Sequence, residues 1–106
     1  MKPEAGLVQW KKITLVGVGL LGGSLGLALK QRHLAGSVVG FVRRKASVRE
    51  CEARGAVDEA TRDLQRAVKA ADLIVLCTPL AQMRPLVKQM LPALKRGAIV
   101  TDVGSV

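Results

Sequence analysis

Ile13-Thr14-Leu15-Val16-Gly17-Val18-Gly19-Leu20-Leu21-Gly22 is the stretch on which the fold of this chain turns. Its first four residues form a short apolar run rich in β-branched side chains, the pattern of a buried strand. The next six read G-x-G-x-x-G, and Leu21, Leu25, Ala28 and Leu29 then recur at helical spacing. Between a strand and a helix such glycines have a mechanical reason. The first makes the tight turn, the second lets the backbone approach a pyrophosphate, and the third lets helix pack on strand. N–H groups unpaired at the helix start, with the helix dipole behind them, then hold the anion. Gly17, Gly19, Leu20, Leu21 and Gly22 are therefore expected to bind a dinucleotide. The alternative is a tight β–α turn without a ligand.

Working outward, a turn is expected from His33 to Ser37 around Gly36, and a second strand over Val38 to Val42. Ser47-x-x-Glu50 has the form of a capping box opening a helix through Arg54, with Gly55 placed to stop it. Asp63 is positioned to cap a short helix over Leu64, Ala67, Val68 and Ala71. Leu73 to Cys77 reads as a third strand and Ile99 to Val103 as a fourth. Met83, Val87, Met90, Leu91 and Leu94 mark an amphipathic helix between them, with Pro85 tolerable only near its first turn. Strands alternating with helices predict an α/β fold, a Rossmann-type parallel sheet with helices on both faces. Residues 1–12 read as a polar leader and 13–106 as the dinucleotide-binding domain. A buried parallel strand seldom closes a domain, so the chain is expected to be truncated after Gly104-Ser105-Val106.

Composition narrows the function. The chain has 106 residues, 49% hydrophobic and 24% charged, which suits a packed domain and not a disordered one. Ile13 to Leu29 is uncharged and follows Lys11-Lys12, but its glycines, its shortness against the roughly 20 residues of a membrane span, and the lack of an A-x-A site argue against a targeting or spanning segment. Cys51 and Cys77 cannot form a disulfide framework, which points to a reducing, cytoplasmic setting. With only Trp10 and Phe41 as aromatics, stacking on nucleobases has little support. Seventeen basic against eight acidic residues leave a net charge of +9, which suits a polyanion or one small, multiply charged anion. One histidine, two distant cysteines and scattered carboxylates make no metal site. His33 falls about 15 Å along the first helix from the glycine loop, at the wrong edge of the sheet for catalysis.

The end of the second strand bears on which dinucleotide is bound. An NAD site presents a carboxylate about 20 residues past the loop to hold the ribose 2′-hydroxyl. Here that position is Val42, followed by Arg43-Arg44-Lys45-Ala46-Ser47, with no acid before Glu50. Three cations and a hydroxyl suit a 2′-phosphate, which arginine grips through charge-assisted bonds. NADP is expected over NAD, through Arg43, Arg44 and Ser47. Otherwise the cations are a solvated turn and Ser47 only caps a helix.

These residues and three later segments resemble the prephenate and arogenate dehydrogenases of tyrosine synthesis. The segments are Gly55-Ala56-Val57-Asp58-Glu59-Ala60, then Ala71 to Pro79, then Gly97 to Val106, in the family's order. The resemblance implies NADP-dependent oxidation of prephenate or arogenate, with hydride passing to the nicotinamide as the ring aromatises and loses CO₂. It places Thr78 and Pro79 beside the cofactor and makes Ser105 the active-site serine. It implies that the catalytic histidine, a helical substrate and dimer domain and its carboxylate-binding arginine lie beyond Val106, so that this part binds cofactor without turnover and a homodimer forms only in the full-length protein. Position 42, often aspartate in NAD-using members, is valine here. The expected partner is a small-molecule substrate, with no nucleic acid and no membrane. Rival readings are another NADP oxidoreductase, of the β-hydroxyacid dehydrogenase or imine reductase type, a non-catalytic dinucleotide-sensing module, and a basic nucleic-acid binder.

Overall fold

The structure is a computed structural model and describes residues 10–103. The chain runs β1 (Trp10–Val16), α1 (Leu20–Gln31), β2 (Ala35–Phe41), α2 (Lys45–Ala53), β3 (Glu59–Thr61), α3 (Leu64–Val68), β4 (Leu73–Leu76), α4 (Leu80–Met90) and β5 (Ile99–Asp102). All neighbouring strands pair in parallel, in the order β3-β2-β1-β4-β5. Strand side chains alternate between two apolar layers, as the period of two requires. Ile13, Leu15, Val38 and Val75 pack with Leu25, Leu29, Val48 and Cys51 of α1 and α2. Val16, Val39, Ile74 and Leu76 pack on the other face with Leu64, Val68, Met83, Leu86 and Met90 of α3 and α4. This is the expected α/β sheet with helices on both faces.

Several boundaries differ from the sequence reading. β1 starts at Trp10, so residues 10–12, expected in the leader, belong to the sheet. A carboxylate distant in sequence explains this: Asp72 accepts hydrogen bonds from the Lys11 N–H at 2.8 Å and the Lys12 N–H at 3.0 Å. β2 starts at Ala35, and the turn is made by Arg32 and His33, with His33 at a φ of 54°. Gly36, expected in the turn, lies in the strand, where its missing Cβ lets it run close to the Lys11 carbonyl.

The capping box is not used. α2 begins at Lys45 with Arg44 as its N-cap residue and no side-chain cap, so Ser47 lies within the first turn. Gly55, at a φ of +75°, does follow the helix end as expected. Asp63 caps α3 as read, accepting from the Arg66 N–H at 3.2 Å. Pro85 lies in the second turn of α4 instead of the first. The carbonyl it leaves without a helical partner is that of Ala81, and both residues are exposed to solvent.

The strand missing from the sequence reading is β3. Glu59-Ala60-Thr61 has weak strand propensity and is too short to show alternation. It forms because β2 offers it a ladder and because Glu52 accepts a 3.0 Å bond from the Ala60 N–H.

Asp72 also pairs with Lys95. The Lys95 ammonium, then the backbone N–H groups of Lys12 and Lys11, hold its carboxyl at about 2, down from 3.8. Folding thus lowers this pKa, so its stabilisation is present above the unfolded value and lost as pH falls through the folded one. Asp72→Asn is expected to lower the melting temperature near neutral pH and to flatten its fall between about pH 4 and about pH 2. Melts of the two proteins across that range check this; parallel curves would refute it.

Candidate functional site

Between β1 and β4 the direction of chain progress across the sheet reverses, since β1 leads to β2 on one side and β4 to β5 on the other. The helices that follow these strands therefore diverge and leave a crevice at the strands' carboxyl ends. A cavity of about 300 Å³ lies there. Gly17, Val18 and Gly19 form one wall, Phe41, Val42, Arg43, Arg44 and Ser47 a second, and Cys77, Thr78, Pro79 and Gln82 a third.

Two of the glycines are required on steric grounds. Gly17 has a φ of +90°, and a Cβ there would fall 2.6 Å from Thr78 Cγ2. A Cβ on Gly22 would fall 2.6 Å from the Gly17 carbonyl oxygen, so α1 could not rest against the loop with any other residue there. Over Gly19 the space is open, with no heavy atom beyond its own residue and its chain neighbours within 4 Å of a Cβ position. Gly19 is the N-cap residue, Leu20 and Leu21 open α1, and the Gly23 N–H donates to the Gly19 carbonyl at 2.8 Å. The N–H groups before Gly23 have no carbonyl a turn behind them to bond. Open space over unpaired donors is a setting for an anion.

Arg43 and Arg44 are exposed and Ser47 half-buried at the opposite wall. The three ion pairs of the described residues, Lys30–Asp58, Arg66–Glu59 and Lys95–Asp72, involve none of these cations. Val42, where a carboxylate would meet a ribose, is buried in the core. Thr78 is only 7% exposed, and its Oγ1 has no hydrogen-bond partner. A buried hydroxyl without a partner costs free energy, and a ligand in the cavity it lines is one source of that partner. Burial pushes the Cys77 thiol up, away from the thiolate form a nucleophile needs.

Seven of the residues singled out in the sequence, Gly17, Gly19, Arg43, Arg44, Ser47, Thr78 and Pro79, thus line a single cavity. Gly22 lies against the Gly17 carbonyl. Ser105 is outside the described residues. His33 is exposed at the far end of α1. Sequence reasoning missed Phe41 and Gln82 as lining residues. Phe41 ends β2, and Gln82 lies in the first turn after β4, where parallel sheets present their ligand-facing residues. No group of three or more histidine, cysteine or acidic residues among the described residues is placed to hold a metal ion. No helix of the described residues is long and apolar enough to cross a membrane.

A family model described as the nucleotide-binding domain of prephenate dehydrogenase matches residues 25–106. The chain belongs to that family. Cyclohexadienyl dehydrogenase of Zymomonas mobilis is 37% identical over 101 residues, which cover 94% of this chain and 34% of the relative. Among solved structures, Synechocystis arogenate dehydrogenase superposes with a TM-score of 0.82 at 39% identity, covering 90% of this chain and 33% of that one. Prephenate dehydrogenase from A. aeolicus, solved with hydroxyphenyl propionate and NAD⁺, also gives 0.82, at 28% identity, covering 91% and 34%. The chain therefore spans about a third of the length of these relatives.

Thr78→Val keeps the side chain's shape and removes the unpaired hydroxyl, so it is expected to stabilise the ligand-free chain by about 1 kcal/mol. Urea unfolding checks this, and a loss of similar size would show that the hydroxyl has a protein partner.

Proposed function

We propose that this chain is the NADP-binding part of a prephenate or arogenate dehydrogenase, which oxidises and decarboxylates its substrate in tyrosine synthesis. The observation that carries the cofactor choice is the pairing of walls in the crevice. Arg43, Arg44 and Ser47 face the same cavity as the glycine loop, and buried Val42 stands where a ribose-binding carboxylate would be. Gly19, Leu20, Leu21 and Gly22 hold the pyrophosphate through backbone N–H groups. Arg43 and Arg44 hold the 2′-phosphate with Ser47, and the Thr78 hydroxyl and Pro79 border the cofactor. NADP⁺ supplies the hydride acceptor. Ser105, which lies outside the described residues, is the serine that the family resemblance assigns to the active site.

The substrate's general base and the clamp for its carboxylate belong to the part of the relatives that this chain does not span. On this reading the 106-residue chain binds cofactor without turning substrate over, works in the cytoplasm and dimerises only as part of the longer protein. Family membership over residues 25–106 favours this reading above other oxidoreductases of the fold.

Calorimetric titration of the chain with NADP⁺ and with NAD⁺ tests the proposal. NADP⁺ is expected to bind more tightly, and Arg43→Ala to weaken it roughly tenfold or more, the worth of one charge-assisted hydrogen bond. Equal binding of the two cofactors would make Arg43 to Lys45 a solvated turn and overturn the NADP assignment.

A further inference from the structure

The loop that carries Arg43 and Arg44 is held from outside itself. The Val42 N–H donates to the Thr61 carbonyl at 3.0 Å, continuing the ladder from β3. One residue further along both segments, Arg62 Nε donates to the Arg43 carbonyl at 3.1 Å. Within the loop, the Ser47 N–H donates to the Arg44 carbonyl at 3.0 Å, which closes the first turn of α2. The segment bearing Arg62 is fixed in turn, because the Asp63 N–H donates to Thr61 Oγ1 at 3.1 Å and the Asp63 carboxylate caps α3.

Arg62 has no carboxylate partner among the described residues. Its one hydrogen bond to protein is spent on the backbone of the residue that begins the cationic run. Arg44 caps α2 without a side-chain bond, so the loop has no internal cap to fix it. Among the described residues no other donor bonds the Arg43 carbonyl.

We infer that Arg62 is a positioning residue for cofactor selection: it fixes the peptide from which the Arg43 side chain reaches toward the 2′-phosphate. This rests on the NADP reading and adds to it a residue on a different strand connection. NADP⁺ and NAD⁺ differ only in that phosphate, so losing the anchor weakens the first and spares the second. A role in general folding would weaken both alike.

The test is calorimetry of the 106-residue chain and its Arg62→Ala and Arg43→Ala variants with each cofactor, supported by circular dichroism melts. Arg62 is exposed, so the variant is expected to fold. Arg62→Ala should weaken NADP⁺ binding about fivefold, the worth of one ordinary hydrogen bond, and leave NAD⁺ binding within about twofold. The ratio of parent to variant affinity should persist in about 1 M salt, where screening acts within about 3 Å and a purely long-range charge effect disappears. Equal loss for both cofactors, no loss, or a loss abolished by salt would each overturn the inference. If Arg43→Ala lowers NADP⁺ affinity and Arg62→Ala does not, only the role of Arg62 fails. If Arg43→Ala also leaves the preference unchanged, the NADP reading itself has failed.

Discussion

No side chain fits at Gly17 or Gly22, where β1 turns into α1, and the rest of the site follows from that constraint. Gly17 turns the chain at positive φ with its α-carbon against Thr78, and Gly22 sets the helix against the Gly17 carbonyl. A methyl group at either position would push α1 away from the strand ends. With α1 seated this closely, its unpaired N–H groups lie at the mouth of the crevice, beside the ends of β2 and β4. One steric requirement therefore fixes both the packing of the first crossover and the direction of its donors.

Charge is distributed to match. Asp58 and Asp72 are committed to the fold, accepting one and two backbone N–H groups respectively and each pairing with a lysine. Glu52 and Asp63 are likewise occupied with backbone donors, and Glu59 with Arg66. Arg43 and Arg44 enter no such pair, and they line the crevice. The excess of +9 thus has a local expression where an anion would sit.

The two apolar layers were legible because buried parallel strands read as continuous apolar runs. Ile13 to Val16 and Leu73 to Leu76 needed no further information. The glycine loop was legible because its spacing answers to a mechanism. What escaped was held by distant partners. Lys11 and Lys12 are held in the sheet because Asp72 bonds their backbone, and Glu59 to Thr61 become a strand because β2 is beside them. Ser47 looked like a cap, but the helix starts two residues earlier and leaves its side chain to the cavity wall.

The sequence by itself determined the order of strands and helices apart from β3, the glycine turn, the absence of an acid at Val42 and the cluster of cations after it. These are local properties, set by which residues adjoin which. Only the tertiary structure decided that the cations and the glycine loop share one cavity, that Phe41 and Gln82 help to enclose it, that the Thr78 hydroxyl is buried without a partner, and that Arg62 grips the Arg43 peptide. Each of these depends on segments well apart in the chain. Their meeting is settled by the order in which the strands pair, since closing those contacts requires the whole sheet.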